Sequence, residues 1–254
     1  MIVSNKRKFI FIHCRKTGGS SVAVALAKYL GPNDLQLSAI QETVAHGIPL
    51  TARIYAEAQA ESGLILPLSR FLSGQLHAKL VARSIKKAYS RKLGEKPQHP
   101  TALSISRAFP TEWRSYAKFC VVRNPWEKTV SDYFWRTRGI SDPPSFLQYV
   151  QALSQGGSLS GIVPKQHSNW EMYTIDNRLA VDCVIRYEEL KSEFAQLCDS
   201  LSIPWDGWLP NAKSRQTREG VSKKRHQDFY DSESAAQIGR LYEKEIKEFG
   251  YSFD

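Results

Sequence analysis

The sequence has few cysteines and no long apolar run, and these two shortages exclude several classes of protein. The four cysteines among the 254 residues are scattered, with no Cys-x-x-Cys pair, so neither a disulfide framework nor a zinc site is expected. No stretch approaches the roughly 18 apolar residues that a membrane-spanning helix needs. The apolar run after the basic residues 6–8 is too short for the central part of a signal peptide. We therefore expect a mature, soluble protein of the reducing cytoplasm.

Acidic residues are scarce relative to basic ones. The 25 acidic and 35 basic residues give a formal net charge of +10, which favours anionic partners such as nucleotides, nucleic acid, acidic polysaccharide or a membrane surface. Two stretches, 83–96 and 213–225, each contain six basic residues and one acidic residue. Such stretches form either solvated surfaces or anion-binding faces, and the sequence leaves both interpretations open.

Three apolar runs at residues 8–13, 118–123 and 180–185 have the composition of buried β-strands. They alternate with segments in which apolar residues recur at helical spacing. This alternation indicates an α/β fold with a central parallel sheet flanked by helices. Because the chain contains neither an internal repeat nor a convincing linker, we expect a single domain over residues 1–254.

A glycine-rich turn follows the first apolar run and leads into a helix. Its sequence is Cys14-Arg-Lys-Thr-Gly-Gly-Ser-Ser21. Glycines allow backbone conformations in which successive N–H groups converge on an anion, and the start of the helix adds further donors. Lys16 adds a cation, and Thr17, Ser20 and Ser21 add hydroxyls. In a Walker A loop the lysine follows the glycines, whereas here it precedes them. The turn is therefore P-loop-like, but it differs from that of standard NTPases.

A second strand-to-helix turn lies in Phe119-Cys-Val-Val-Arg-Asn-Pro-Trp126. Arg123 closes the apolar run, Pro125 suits a first helical position, and Ser131 lies two turns into the helix. Alone, an arginine at a strand end is often structural. Two such anion sites in one chain indicate a ligand with two separated phosphates, such as a nucleotide phosphorylated at both ends of its ribose.

The two motifs together resemble those of carbohydrate-type sulfotransferases. Ile12-His-Cys-Arg-Lys-Thr-Gly-Gly-Ser20 resembles the 5′-phosphosulfate loop of that family, usually written His-x-Pro-Lys-Thr-Gly-Gly-Thr. Residues 119–133 resemble its 3′-phosphate site, and residues 184–190 and 242–253 resemble later elements. The resemblance implies a P-loop-like α/β sulfotransferase fold. It also implies the cofactor 3′-phosphoadenosine 5′-phosphosulfate (PAPS), which leaves 3′-phosphoadenosine 5′-phosphate (PAP) as product.

The resemblance also implies roles for residues of the first turn. Lys16 would contact the bridge between phosphate and sulfate. The residues around the 5′-phosphate would be Thr17, Gly18, Gly19, Ser20 and Ser21. Arg15, in the same loop, is a further candidate for contact with the cofactor. The chain departs from the family pattern at Cys14 and Arg15, where isoleucine and proline are common, and at Ser20, where threonine is usual.

Four further residues are predicted to contact the cofactor. The resemblance implies that Arg123 and Ser131 hold the 3′-phosphate. Lys213 and Ser214, in the second basic stretch, are additional candidates, since that stretch could close over the nucleotide. The chain has no clear cluster of metal ligands, so no metal is expected.

Sulfuryl transfer to a hydroxyl needs a base, and histidine titrates in the suitable range. His77 opens a predicted helix between the two motifs, where the family has the element that supplies its base, and it is our candidate. An exposed histidine at a helix start is the alternative interpretation. Glu42, Glu57 and His167 are reserve candidates, and His13 is expected to support the loop.

Two other functions stay open on the residues alone. A nucleotide-dependent kinase is disfavoured because no Gly-Lys-Ser/Thr follows the glycines and no acidic strand end suggests a metal site. A non-catalytic module that binds polyanions is compatible with the charge, but no nucleic-acid-binding motif supports it. The resemblance implies an acceptor with a hydroxyl group, a carbohydrate. Residues 33–72 and 139–170 lie outside the two phosphate motifs, and we expect them to determine which acceptor is used.

Overall fold

The apolar runs of the sequence form the strands of a five-stranded sheet. The computed structural model describes residues 1–63, 73–210 and 225–254. The sheet consists of β1 (Ile2–Ser4), β2 (Phe9–Ile12), β3 (Leu35–Gln36), β4 (Ala117–Val122) and β7 (Cys183–Arg186), and a separate hairpin consists of β5 (Thr174–Ile175) and β6 (Arg178–Leu179).

The helices lie between and after these strands along the chain. In the described residues they are α1 (Gly19–Ala27), α2 (Ile40–Ala45), α3 (Ala52–Ser62), α4 (Gly74–Leu93), α5 (Ala102–Ala108), α6 (Pro110–Ser115), α7 (Pro125–Arg136), α8 (Phe146–Ser154), α9 (Trp170–Tyr173), α10 (Leu190–Ser200), α11 (Ser232–Leu241) and α12 (Glu243–Phe249), with a 3₁₀ helix at His226–Phe229. None of them is long and apolar enough to cross a membrane.

The strand order in the sheet is β3-β1-β2-β4-β7. β2, β4 and β7 are parallel, with Ile12 opposite Cys120 and Val122 opposite Arg186, whereas β1 is antiparallel to both of its neighbours. The fold is therefore α/β with a mixed central sheet flanked by helices. The three predicted strands are indeed parallel, but the prediction of a wholly parallel sheet is wrong. β1 and β3, with three and two residues, are too short to give a periodic pattern.

The chain divides into two compact units that alternate along the sequence. The first consists of Met1–Val122 and Glu171–Lys213, and the second of Arg123–Trp170 and Ser214–Asp254. The main sheet belongs to the first unit. The expected single domain over residues 1–254 stays a prediction.

Aromatic side chains form the centre of the first unit. The Phe119 ring on β4 lies 5.6 Å from that of Phe9 and 5.1 Å from that of Phe11, both on β2. Val22 of α1 and Phe194 of α10 are fully buried in the same cluster. Burial of apolar side chains on this scale stabilises the strands whose ends carry the first turn.

The second unit has its own apolar core. Residues of α7, α8 and α11 contribute Trp126, Tyr149 and Ile238 to one buried cluster. The indole Nε1 of Trp126 donates a hydrogen bond to the carbonyl oxygen of Ala235, 2.9 Å away. This packing fixes α7, the helix that follows Arg123.

Two predicted segments differ from the structure. Residues 93–111, expected to be loop with one turn, contain α5 and the start of α6. Thr101 caps α5 by accepting from the Ser104 N–H at 3.2 Å, and Pro110 is the first residue of α6. The predicted C-terminal helix over 232–248 is two helices, because the backbone leaves the helical conformation at Tyr242.

Candidate functional site

The first glycine-rich turn lies where β2 ends and α1 begins, at the edge of the sheet where the parallel strands β4 and β7 also end. Its backbone is unusual, since Lys16 has φ 63° and Gly18 has φ 78°. Glycine adopts the left-handed region readily, but lysine does so only at a cost. Such conformations cluster at functional sites, and this one makes Lys16 a candidate for a functional role.

Two aromatic rings lie against the glycines of the turn. A Cβ added to Gly19 would lie 2.4 Å from Cδ2 of His13, and one added to Gly18 would lie 2.8 Å from Cε2 of Tyr187. Both distances are well below van der Waals contact. Close packing therefore requires both glycines, and at Gly18 the left-handed backbone conformation favours glycine as well. Sequence reasoning missed Tyr187, although its place directly after the third parallel strand was a usable signal.

His13 is held from two other sides. It is buried, and its ring stacks at 5.8 Å on Phe11 and meets the His99 ring edge-on at 4.8 Å. Nδ1 of His99 is 2.7 Å from the carbonyl oxygen of His13, so an Nδ1–H of His99 would donate to it. This agrees with the supporting role predicted for His13 and adds His99, which the sequence did not indicate.

The start of α1 supplies the donors of the turn. Gly18 is its N-cap residue, and no side chain caps it, so the helix presents backbone N–H groups of its first turn. Thr17 and Ser20 are buried, and Arg15, Lys16 and Ser21 are half-buried. The Thr17 hydroxyl donates to the Cys14 carbonyl oxygen at 3.3 Å. Thr17 therefore closes the turn with its side chain.

Cys14 is a packing residue beneath the turn. It is fully buried, as is Cys120 on β4, and both are free thiols. The pKa of the Cys120 thiol is raised well above its ordinary value, mainly by burial and to a smaller extent by a hydrogen bond with Cys14. A thiol held neutral in this way is a poor nucleophile.

Among the described residues, no group of three or more His, Cys, Asp or Glu side chains is arranged to hold a metal ion.

The second turn belongs to the second unit and is built around a buried arginine. Arg123 is 7% exposed, and its Nη2 lies 2.5 Å from Oε1 of Glu127. Asn124 caps α7 by accepting from the N–H of Trp126 at 3.0 Å. Ser131 follows Glu127 by four residues and so shares its helix face. Glu127 was not predicted, although its spacing of four from Arg123 was a signal.

The candidate bases are in different environments. His77 is half-buried in the first turn of α4, and its ring stacks on that of Tyr55 at 6.0 Å. Glu57 forms an ion pair with Arg53 at 2.8 Å. The carbonyl oxygen of His167, in the second unit, accepts from Nζ of Lys128 at 3.1 Å.

The structure thus places most of the candidate residues in two groups. Arg15 to Ser21 share the first turn, whereas Arg123 precedes α7 and pairs with Glu127, which lies four residues before Ser131 on that helix. Glu42, a reserve candidate for the base, is half-buried in α2. The predicted cofactor contacts Lys213 and Ser214 lie outside the described residues.

Replacing Gly19 by alanine tests the close packing of the turn. Because the new methyl group would overlap the His13 ring, we expect Gly19→Ala to lower the free energy of unfolding by about 1–3 kcal/mol, measured by urea denaturation. Gly74→Ala is the matched control, since a Cβ at Gly74 meets nothing within 4 Å. Equal stability of the two variants would contradict the packing described for His13.

No family model, curated protein or solved structure matches the chain. The resemblance to sulfotransferases therefore rests on the motifs of the sequence, and the roles that it implies are proposals.

Proposed function

We propose that the chain is a PAPS-dependent sulfotransferase with a P-loop-like sulfotransferase fold, acting on a hydroxyl of a carbohydrate. The observation that carries the proposal is the first turn. It combines a lysine in the left-handed region, two glycines packed against aromatic rings and a helix start without a side-chain cap. Converging N–H groups with a nearby cation suit a phosphate-like anion. The lysine before the glycines argues against a Walker A NTPase.

The donors of the first turn fit a 5′-phosphosulfate. The absence of a Cβ at Gly18 and Gly19 lets the rings of Tyr187 and His13 pack against the turn, whose backbone N–H groups would bind the anion. We assign Lys16 to the bridge between phosphate and sulfate. The 5′-phosphate is assigned to Arg15, Thr17, Gly18, Gly19, Ser20 and Ser21. Since the Thr17 hydroxyl donates within the turn, Thr17 would contribute its backbone N–H.

The residues of the second turn fit a 3′-phosphate. A buried guanidinium is costly unless it is paired, and Arg123 meets this requirement through Glu127. Arginine has further N–H donors in a planar fork that matches phosphate oxygens. We assign the 3′-phosphate to Arg123 and to the Ser131 hydroxyl.

The proposed reaction depends mainly on positioning and charge, as phosphoryl transfer does. Bound PAPS supplies an activated sulfuryl group. Lys16 stabilises the negative charge that develops on the leaving phosphate oxygen. His77 accepts the proton of the acceptor hydroxyl at an imidazole nitrogen. Segments 33–72 and 139–170 are the proposed sites of acceptor choice, of which 64–72 lie outside the described residues.

Titration calorimetry with PAP, AMP, ATP with magnesium, and an oligonucleotide tests the assignment of the cofactor. The proposal predicts that PAP binds most tightly, and that Arg123→Ala lowers PAP affinity about 10- to 100-fold while leaving AMP affinity nearly unchanged. The reason is that only PAP has a 3′-phosphate, and a charge-assisted hydrogen bond contributes about 1.5–3 kcal/mol.

Arg136→Ala is the matched control for this measurement. Arg136 also pairs with a carboxylate on α7, that of Asp132 at 2.7 Å, but it is not assigned to the nucleotide. Its removal should leave the preference for PAP over AMP intact. A preference for ATP with magnesium would favour the kinase, and binding of the oligonucleotide alone would favour the polyanion-binding module.

A second variant tests the proposed base. His77→Ala should lower turnover roughly 10²–10⁴-fold with PAP affinity unchanged, because the ring moves a proton and does not hold the nucleotide. Turnover is measured with labelled PAPS and the acceptor that a screen with the same reagent identifies. Gln75→Ala, at an exposed residue in the first turn of the same helix, should be nearly as active as the parent. Near-normal turnover of His77→Ala would remove His77 from this role.

A further inference from the structure

The helix α4 carries a large share of the excess positive charge of the chain. Its 20 residues include six basic side chains and no acidic one. The basic residues are Lys79, Arg83, Lys86, Lys87, Arg91 and Lys92. With a formal net charge of +10 for the whole sequence, this helix forms a concentrated positive surface.

Four of these cations form a single line on the helix. They follow one another at intervals of four residues and are all exposed; they are Lys79, Arg83, Lys87 and Arg91. At 1.5 Å per residue the line is about 18 Å long. The opposite side of α4 is buried, through Ala78, Val81, Ala82, Ile85, Tyr89 and Leu93. The fold therefore holds the basic side outward.

The charges of this line are little neutralised within the described residues. Lys87 pairs with Glu61 at 2.8 Å, but its side chain is 73% exposed, and such surface pairs contribute little. Across the described parts of the chain, no carboxylate lies within 4 Å of a side-chain nitrogen of Lys79, Arg83 or Arg91. The line is thus able to attract an external anion.

A large apolar side chain lies on the same side of the helix. Leu76 is 50% exposed, and it precedes Lys79 by three residues and Arg83 by seven, which places it on their face. The aromatic Tyr89 is buried on the other side. Single-stranded nucleic acids are generally bound with stacking aromatic side chains, and this face has none. A row of cations beside an exposed leucine is instead typical of a surface that binds lipid, because cations attract anionic headgroups and an apolar side chain can insert below them.

We propose that this surface, which we call the basic ridge (Leu76, Lys79, Arg83, Lys87 and Arg91), binds the surface of an anionic lipid bilayer. The four cations would lie among anionic headgroups, and the Leu76 side chain would enter the boundary between headgroups and acyl chains. The proposal is independent of the sulfotransferase assignment, because no residue of the basic ridge is placed in the nucleotide or catalytic site.

Sedimentation of the full chain with lipid vesicles tests the proposal. We expect binding to vesicles of phosphatidylcholine with phosphatidylserine, no binding to phosphatidylcholine alone, and weaker binding as salt is raised. Heparin and a single-stranded oligonucleotide are tested in parallel. Binding to either of these without binding to the anionic vesicles would overturn the proposal.

Neutralising the line should remove most of the affinity for vesicles. Each cation near an anionic surface contributes about fivefold in binding, so the quadruple variant should bind roughly 100-fold more weakly or worse. Its substitutions are Lys79→Gln, Arg83→Gln, Lys87→Gln and Arg91→Gln. The matched control removes the same charge at four exposed positions of other elements. Its substitutions are Arg107→Gln, Arg114→Gln, Arg178→Gln and Lys191→Gln.

A single substitution tests the apolar contact without a large change in charge or fold. Leu76→Ser should weaken binding to anionic vesicles about 3- to 10-fold, whereas Leu103→Ser, at a leucine of α5 that is 41% exposed, should not. Circular dichroism confirms that each variant is folded. Two results would overturn the proposal. One is an equal loss of affinity for anionic vesicles in the quadruple variant and its charge-matched control. The other is parent-like binding to these vesicles by both the quadruple variant and Leu76→Ser.

Discussion

The first turn depends on the absence of side chains at two consecutive positions. His13 comes within 2.4 Å of where a Cβ of Gly19 would be, and Tyr187 within 2.8 Å of where one of Gly18 would be. The parallel register of β2, β4 and β7 makes this possible, because it brings the residues that follow two of these strands to one edge of the sheet. The rings then support a backbone in which Lys16 adopts the left-handed region. The chemistry proposed for the turn rests on this packing.

The second turn depends on a different constraint, the burial of a charge. Arg123 is placed in a largely buried position and is compensated by Glu127 one helical turn away. Removing one partner of such a pair leaves the other uncompensated, which costs several kcal/mol. A phosphate would add a second negative group around the same guanidinium. In the proposed site the two turns would bind anions by complementary means, one mainly through backbone N–H groups and the other through a positioned cation.

Much of the fold follows from local sequence patterns, but the contacts between the candidate site and residues distant in the sequence do not. The three parallel strands and the helix starts at Gly19 and Pro125 were predictable, since apolar runs and turn residues act over a few positions. The short antiparallel strands were not, because they are defined by their pairing. The contact of Tyr187 with the first turn joins residues nearly 170 positions apart. A local pattern can place Tyr187 after a strand, but it cannot report this contact. Glu127 was within reach of sequence reasoning through its spacing from Arg123.

The most direct test of the account is NMR of the uniformly ¹⁵N-labelled chain titrated with PAP and, separately, with AMP. Both nucleotides should shift the backbone amides of residues 17–21, because both have a 5′-phosphate. Only PAP should also shift the side-chain Nε–H signal of Arg123. Amide shifts confined to other parts of the chain, or identical effects of PAP and AMP at Arg123, would contradict the assignment of the two turns to the two ends of one nucleotide.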